Sequence, residues 1–256
     1  MMHINWQKIL VPLAAMVVLL LAWEWLVWFK GWPTFKMAAP SDIWPAFLRF
    51  QHLFWEYGWQ TLWRTVAGLG LAVVFGTLIG MIMGLSRVMN DALYPLLVGF
   101  NAVPKATVVP VVALMFIGQH DFNTILIAFL ISFFPISVSV AIGLSTLEPE
   151  YRDILRSLGA SRFTVFWKIA LPKTLPEFFG ALKVAVTLAF IGTNLVEIIT
   201  PHGRGLGHLF QSAQINSDFP LMFAVLIALA ALGIFLYYIV VALERIFAGW
   251  ADRAPT

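Results

Sequence analysis

Six stretches of this chain are long apolar runs nearly free of charge, at about 9–29, 60–86, 92–118, 122–147, 180–200 and 219–248. A helix needs roughly 20 residues to cross the hydrocarbon core of a bilayer. Each run is long enough, and backbone groups in lipid must find their partners within the segment, so helices are the fitting structure. The ten-residue alternation of barrel strands is absent. The reading is an all-α membrane protein of about six transmembrane helices, organised as a single transmembrane domain over 1–256. Composition agrees: 61% of residues are hydrophobic, 11% are charged and the mean hydropathy is +0.87, an apolar excess that a soluble core of this size does not need. A net charge of +3 offers no basis for nucleic-acid binding, while a pI near 9.3 suits basic residues facing an anionic leaflet. Without cysteine there is neither a disulfide nor a thiolate metal site. The first run is longer than the core of a signal peptide and carries Trp23, Trp25 and Trp28, so it reads as a retained span.

Charge sets the orientation. With the N-terminus in the cytoplasm, the inner side holds Lys8, Arg87, Arg152, Arg156, Arg162, Lys168, Lys173, Lys183, Arg245 and Arg253. The outer side holds Lys30, Lys36, Arg49, Arg64 and Arg204, and Lys105 lies within a span. Ten against five places both termini inside. Tryptophan agrees, with Trp28, Trp32, Trp55 and Trp59 in an outer belt and Trp6, Trp167 and Trp250 near the inner face.

Three stretches do not span. Residues 30–59 lie outside, and Ser41 is positioned to cap a short helix whose apolar residues lie on the membrane surface. Residues 201–218 are a glycine-rich outer loop with Gly203, Gly205 and Gly207. Its two histidines, His202 and His208, read as surface loop residues, since no third ligand accompanies them.

The inner stretch 148–179 has more pattern than a connection needs. Tyr151, Ile154, Leu155 and Leu158 make one apolar stripe at i, i+3, i+4 and i+7, with Arg152, Asp153, Arg156 and Ser157 opposite. Gly159 stands where a helix ends in a left-handed residue. Ser161 is placed to cap a second short helix over 162–170, which Leu171 and Pro172 then stop. So short a helix is marginal alone and must be covered. Two covers fit the stripe: the membrane surface, or a groove on a cytoplasmic protein.

These residues also carry a resemblance. Asp153-Ile-Leu-Arg-Ser-Leu-Gly-Ala-Ser161 followed by Ile169-Ala-Leu-Pro172 resembles the EAA loop of binding-protein-dependent ATP-binding-cassette (ABC) transporter permeases, matching at Arg156, Leu158, Gly159, Ala160, Ser161, Leu171 and Pro172. The usual Glu-Ala-Ala is here Asp153-Ile154-Leu155. Thr61, Arg64 and Gly68, Asn101-Ala-Val-Pro-Lys105, Pro110, Gly118, Phe133-Phe-Pro135, Glu197, Gly205-Leu-Gly207 and Leu243-Glu-Arg245 with Trp250 are similar to the nitrate, sulfonate and taurine branch. The resemblance implies a bacterial inner-membrane permease whose EAA-type loop between the fourth and fifth spans is the coupling element. It implies a second permease copy, most simply a homodimer, and two cytoplasmic ATPase subunits that bind ATP and Mg. It also implies an outside substrate-binding protein. Tyr151, Asp153, Ile154, Leu155, Arg156, Leu158, Gly159, Ala160, Ser161, Leu171 and Pro172 would then meet the ATPase. No cofactor belongs to this chain itself, and the solute would be a small, anionic organic or inorganic compound or a vitamin precursor.

Polar residues within the spans are the candidates for the pathway. Lys105 follows Pro104 and precedes Pro110, so the third span is bent or unwound there. It lines an anion path, pairs with an acid such as Glu197, or snorkels. Asn194 and Glu197 line a vestibule or bond between helices, and Asn101 is equally open. Glu24 sits among tryptophans, at the periphery. Gly76, Gly80 and Gly84 repeat every fourth residue, which predicts close helix packing, with Gly68 and Gly70 in the same span. A self-contained secondary transporter or channel is the main rival, but there is no repeat symmetry to support it. No catalytic constellation and no phosphate-binding Gly-Lys-Ser/Thr loop is present, so the chain reads as a non-enzyme.

Overall fold

The computed structural model describes residues 7–34, 36–145, 161, 164, 166–200 and 203–250, and every described element is helical. In chain order the helices are α1 (Gln7–Lys30), α2 (Pro40–Arg49), α3 (Gln51–Leu85), α4 (Arg87–Ala102), α5 (Lys105–Met115), α6 (His120–Ser145), α7 (Leu171–Ile199), α8 (Leu206–Ile215) and α9 (Phe219–Phe247). One turn of π-helix, Phe166–Ala170, leads directly into α7.

Among the described residues, α3, α6, α9 and the helix through Trp167–Ile199 are each long and apolar enough to cross a membrane. Taken together, α4 and α5 form a fifth such segment, bent by 87°. With its 24 residues, α1 has the length of a crossing, about 36 Å at 1.5 Å per residue. All six apolar runs are therefore helices, and the third is broken.

The centre is a three-helix stack of α3, α6 and α7. Lipid tails are as apolar as leucine, so such a stack is held by close contact rather than by expulsion of water. Small residues make the contact close. A Cβ added at Gly68 would lie 2.6 Å from that of Ala128, at Gly80 2.6 Å from the Ser137 carbonyl, and at Gly84 2.7 Å from the Leu144 Cβ. Gly76 meets Ile136 in the same way. Gly70 faces open space, so it stands outside this seam. Ala72, Met83, Ile136, Val140, Ala185 and Val186 fill the interior between the three helices. Against this stack lies α9, tied to α7 by the Lys183–Glu244 ion pair at 2.9 Å. A second cluster, built on Phe54, Leu206, Leu209, Leu221 and Val225, joins α2, α3, α8 and α9.

Several boundaries differ from those read in the sequence. The short helix expected within 30–59 is α2 at 40–49, but α3 begins at Gln51 rather than near 60. Ser41 is not the cap of α2. The helix opens with Pro40 at its first position, a favoured place for a residue without N–H, and the Asp42 carboxylate accepts from the Ala39 N–H at 3.1 Å. Ser41 instead gives its N–H and hydroxyl to Glu24 at 3.0 and 2.7 Å, so the peripheral Glu24 fastens α1 to α2. The outer glycine-rich stretch contains α8, and His208 lies on that helix, half-buried. Leu171 and Pro172 do not stop a helix. They begin α7, for the reason that makes Pro40 a good start.

Candidate functional site

The loop residues Tyr151, Asp153, Ile154, Leu155, Arg156, Leu158, Gly159 and Ala160 lie outside the described residues. The loop's end is described. The Ser161 hydroxyl accepts from the Thr164 N–H at 3.1 Å, which is the geometry of an N-cap. Leu171 and Pro172 open α7, and Thr174 just beyond is buried against Gly143 of α6. The loop therefore returns to the membrane on a segment anchored in the core stack.

The α4–α5 elbow holds Asn101 and Lys105. Proline 104 has no N–H and pushes the residue before it to extended backbone, so Val103 sits at φ −65°, ψ 127° and α4 ends. The carbonyls of its last turn are left without helical partners. Lys105 supplies one: its ammonium donates to the Asn101 carbonyl and, at 2.9 Å, to the Asn101 Oδ1. A cation at a helix C-terminus is favoured by the helix dipole. Thr107 donates through its hydroxyl to the Pro104 carbonyl at 2.6 Å and stiffens the turn. Asn101 is exposed, Lys105 half-buried, and the surface continuing from them along α5 is apolar and open at Val111, Leu114 and Met115.

Glu197 does not pair with Lys105. It is 2% exposed and belongs to a second, separate centre between α3, α6, α7 and the start of α8. Its carboxylate accepts from the Thr61 hydroxyl at 2.8 Å, from Arg64 Nη1 at 3.1 Å and from the Gly207 N–H at 3.1 Å. Thr61 in turn accepts from the Leu206 N–H at 2.9 Å. Arg64, counted by sequence as an outer-side charge, is 4% exposed. Besides Glu197 it binds Asp121 at 2.6 Å through Nη2, Gln60 at 3.2 Å, and the Arg204 carbonyl. A buried charge must be paired and hydrogen-bonded, and Arg64 is saturated. Thr65 continues the network to Thr193 at 3.0 Å.

Glycine makes the centre possible. Gly205 has φ +140°, and a Cβ there would run into the Glu197 carboxylate. A Cβ on Gly207 would lie 2.8 Å from the Glu197 Cβ and 2.9 Å from the Asn194 carbonyl. Asn194 sits just beneath, its amide donating to the Phe190 carbonyl at 2.8 Å. Above Arg64 opens a polar cleft of about 470 Å³ between the α3, α6 and α8 ends, lined among others by Gln60, Gln119, His120, Asp121 and Arg204.

Of the sequence candidates, then, Asn101 joins Lys105 at the elbow, and Glu197 stands over Asn194 at the buried centre. The two centres do not bond one another. Arg64 and Asp121 were not singled out as site residues. An arginine three residues after Thr61 in an apolar run is the signal that marks the first. Asp121 carries no such signal, because its role depends on the approach of α6 to α3. No group of three or more metal-ligating side chains occurs among the described residues.

The geometry is that of a helical membrane protein with a broken span and a polar centre buried among its crossings. Residues 72–248 match the model of the family "binding-protein-dependent transport system inner membrane component", and the chain belongs to that family. It is a permease component of an ABC importer and a multi-pass membrane protein. It is 29% identical to the formylaminopyrimidine transport permease ThiX of Halalkalibacterium halodurans, over 94% of this chain and 96% of that protein. Identity is also 29% to the riboflavin transport system permease RibX of Chloroflexus aurantiacus, over 96% and 91%. The taurine transport system permease TauC of Escherichia coli is 30% identical over 77% of this chain and 70% of its own length. The fold matches a chain of the MetNI methionine ABC transporter in an inward-facing conformation, with a TM-score of 0.64 over 78% of this chain and 98% of that one, at 18% identity.

Proposed function

We propose that two copies of this chain form the membrane pathway of an ATP-driven importer for a small solute, with both termini in the cytoplasm. Two ATPase subunits, carrying ATP and Mg, dock on the Asp153–Pro172 loops of the pair, and a binding protein delivers solute from outside. The observation that carries this reading is the family match, which runs unbroken from α3 across the loop to the end of α9. The burial of Thr174 against α6, just after Leu171 and Pro172 open α7, supports it, since a pull on the loop is then transmitted to α6 and α7 rather than absorbed by slack chain. Motion of this kind is a two-state element biased by a partner.

We take the solute to be a small anion or a vitamin precursor; the relatives named for formylaminopyrimidine, taurine and nitrate transport support that range. Asn101 and Lys105 are assigned to the pathway, at the bend where helix order is interrupted. Broken helices at membrane depth are tolerated where they line a cavity. Asn194 and Glu197 are assigned to the end of the pathway beneath the polar cleft.

The decisive experiment is reconstitution. The permease should copurify with an ATPase, and uptake should require ATP and the binding protein. Gly159→Asp should leave membrane insertion intact and release or uncouple the ATPase. Solute flux by the permease alone in proteoliposomes would replace this reading with that of a self-contained transporter or channel.

A further inference from the structure

A groove of about 500 Å³ runs down the molecule between α3 and α9 at the α2 end. Its walls are Phe54, Trp55 and Trp59 on one side and Leu232 and Phe235 on the other. Its floor is made of small residues. Ala228 and Ala231 lie on α9, and Gly58 on α3 has nothing within 4 Å of where its Cβ would be. Small residues between aromatic walls leave apolar space that an unbranched hydrocarbon chain fits.

Both flanking helices are long and apolar enough to cross a membrane, and the groove between them opens at the apolar surface. Trp55 is 86% exposed at its edge, as expected of tryptophan at a headgroup boundary. Gln51 lines the end of the groove nearest that boundary. Two residues before it, Arg49 is exposed at the end of α2, with its guanidinium 5.2 Å from the Phe50 ring centre and no ion pair among the described residues. A guanidinium there complements a phosphodiester.

We propose that the groove holds one acyl chain of a bound phospholipid, with Arg49 on its phosphate. The bound chain would back the polar centre from its apolar side. Leu206 lines the groove and gives its N–H to Thr61, and Leu62 lines the groove beside Thr61 itself. A filled groove therefore presses the start of α8 onto α3 and keeps Gly205 and Gly207 against Glu197.

The test uses the assembled transporter purified in detergent, with lipid retention read by native mass spectrometry. Wild type should keep one phospholipid per permease copy. Gly58→Leu and Ala231→Phe, which fill the trough where space is open, should keep none. Ile227→Phe, on a lipid-exposed position of α9 outside the groove, should behave as wild type. After delipidation, dioleoyl phosphatidylglycerol should raise the Tm of wild type and of the Ile227 variant, but not that of the two filled variants. Equal retention in the filled variants would overturn the proposal. So would disulfide capture between permease copies through Trp55→Cys and Phe235→Cys, which would make a second copy the occupant. If Arg49→Gln responds to dioleoyl phosphatidylglycerol as strongly as wild type, the assignment of the phosphate is wrong.

Discussion

Arg64 shares its charge between an acid that is almost fully buried, Glu197, and one that is 57% exposed, Asp121. Their removal should have very different consequences. Deleting one partner of a buried pair strands the other charge, at a cost of about 3–5 kcal/mol. Arg64→Leu should therefore destabilise the permease by about that much in reversible denaturant unfolding. The double variant Arg64→Leu, Glu197→Leu should recover part of the loss, because no buried charge is left unpaired. Asp121→Asn should shift the same measurement by no more than about 1 kcal/mol, since solvent already screens that carboxylate. Equal losses for Arg64→Leu and Asp121→Asn would show that the buried pair is not what holds the centre. Gly205→Ala makes a second expectation at this scale. Its backbone lies in the positive-φ region, and its Cβ would enter the space of the Glu197 carboxylate, so the variant should fold less stably than Arg64→Leu or fail to assemble.

At the scale of elements, the seam between α3 and α6 is set by which glycines point inward. Gly80 touches the Ser137 carbonyl and Val140, whereas Gly70 faces open space on the same helix. Gly80→Val should separate the two spans and lower Tm sharply. Gly70→Ala should be neutral or stabilise by up to about 1 kcal/mol, because alanine loses less backbone freedom in a helix. A thermal-shift comparison of the two variants checks both, and matched effects would dissolve the seam. The repeat at Gly76, Gly80 and Gly84 made this packing legible in the sequence, since spacing of four fixes one helix face. Run length was enough to find the four long apolar helices and the bent α4–α5 pair. The helix starts were less legible. Gln51 and Leu171 begin their helices in polar or proline-bearing sequence, where apolar periodicity is silent and a proline opens a helix as readily as it ends one. The partner of Glu197 was hidden for a different reason. Lys105 looks like a counter-charge in one dimension, but at the 87° break its ammonium, at the start of α5, turns back onto Asn101 at the end of α4. Only the packing of α3 against α7 shows that Arg64 is nearer.

For the whole molecule, the proposed pathway role of the break between α4 and α5 is separable from a purely local one, and Lys105 can be asked which it serves. As a cap, its ammonium satisfies the Asn101 carbonyl at the end of α4, a local contribution of a few tenths to about 1 kcal/mol. As part of a path, it would offer a positive charge to a passing anion at the bend between α4 and α5. The first job demands only a donor of the right reach, and the second demands charge. Lys105→Gln retains a donor and removes the charge. Lys105→Arg retains charge and lengthens the reach. If Lys105 serves the path, Lys105→Gln should lower ATP-driven uptake of an anionic solute at least several-fold, while Lys105→Arg keeps most of it. Tm and ATPase copurification should change little in either. If it serves only as a cap, uptake by both variants should follow Tm, and a neutral solute should be affected as much as an anion. The comparison of anionic and neutral solutes in one reconstituted preparation separates these outcomes. Assembly affects both solutes alike, and only a charge on the path distinguishes between them.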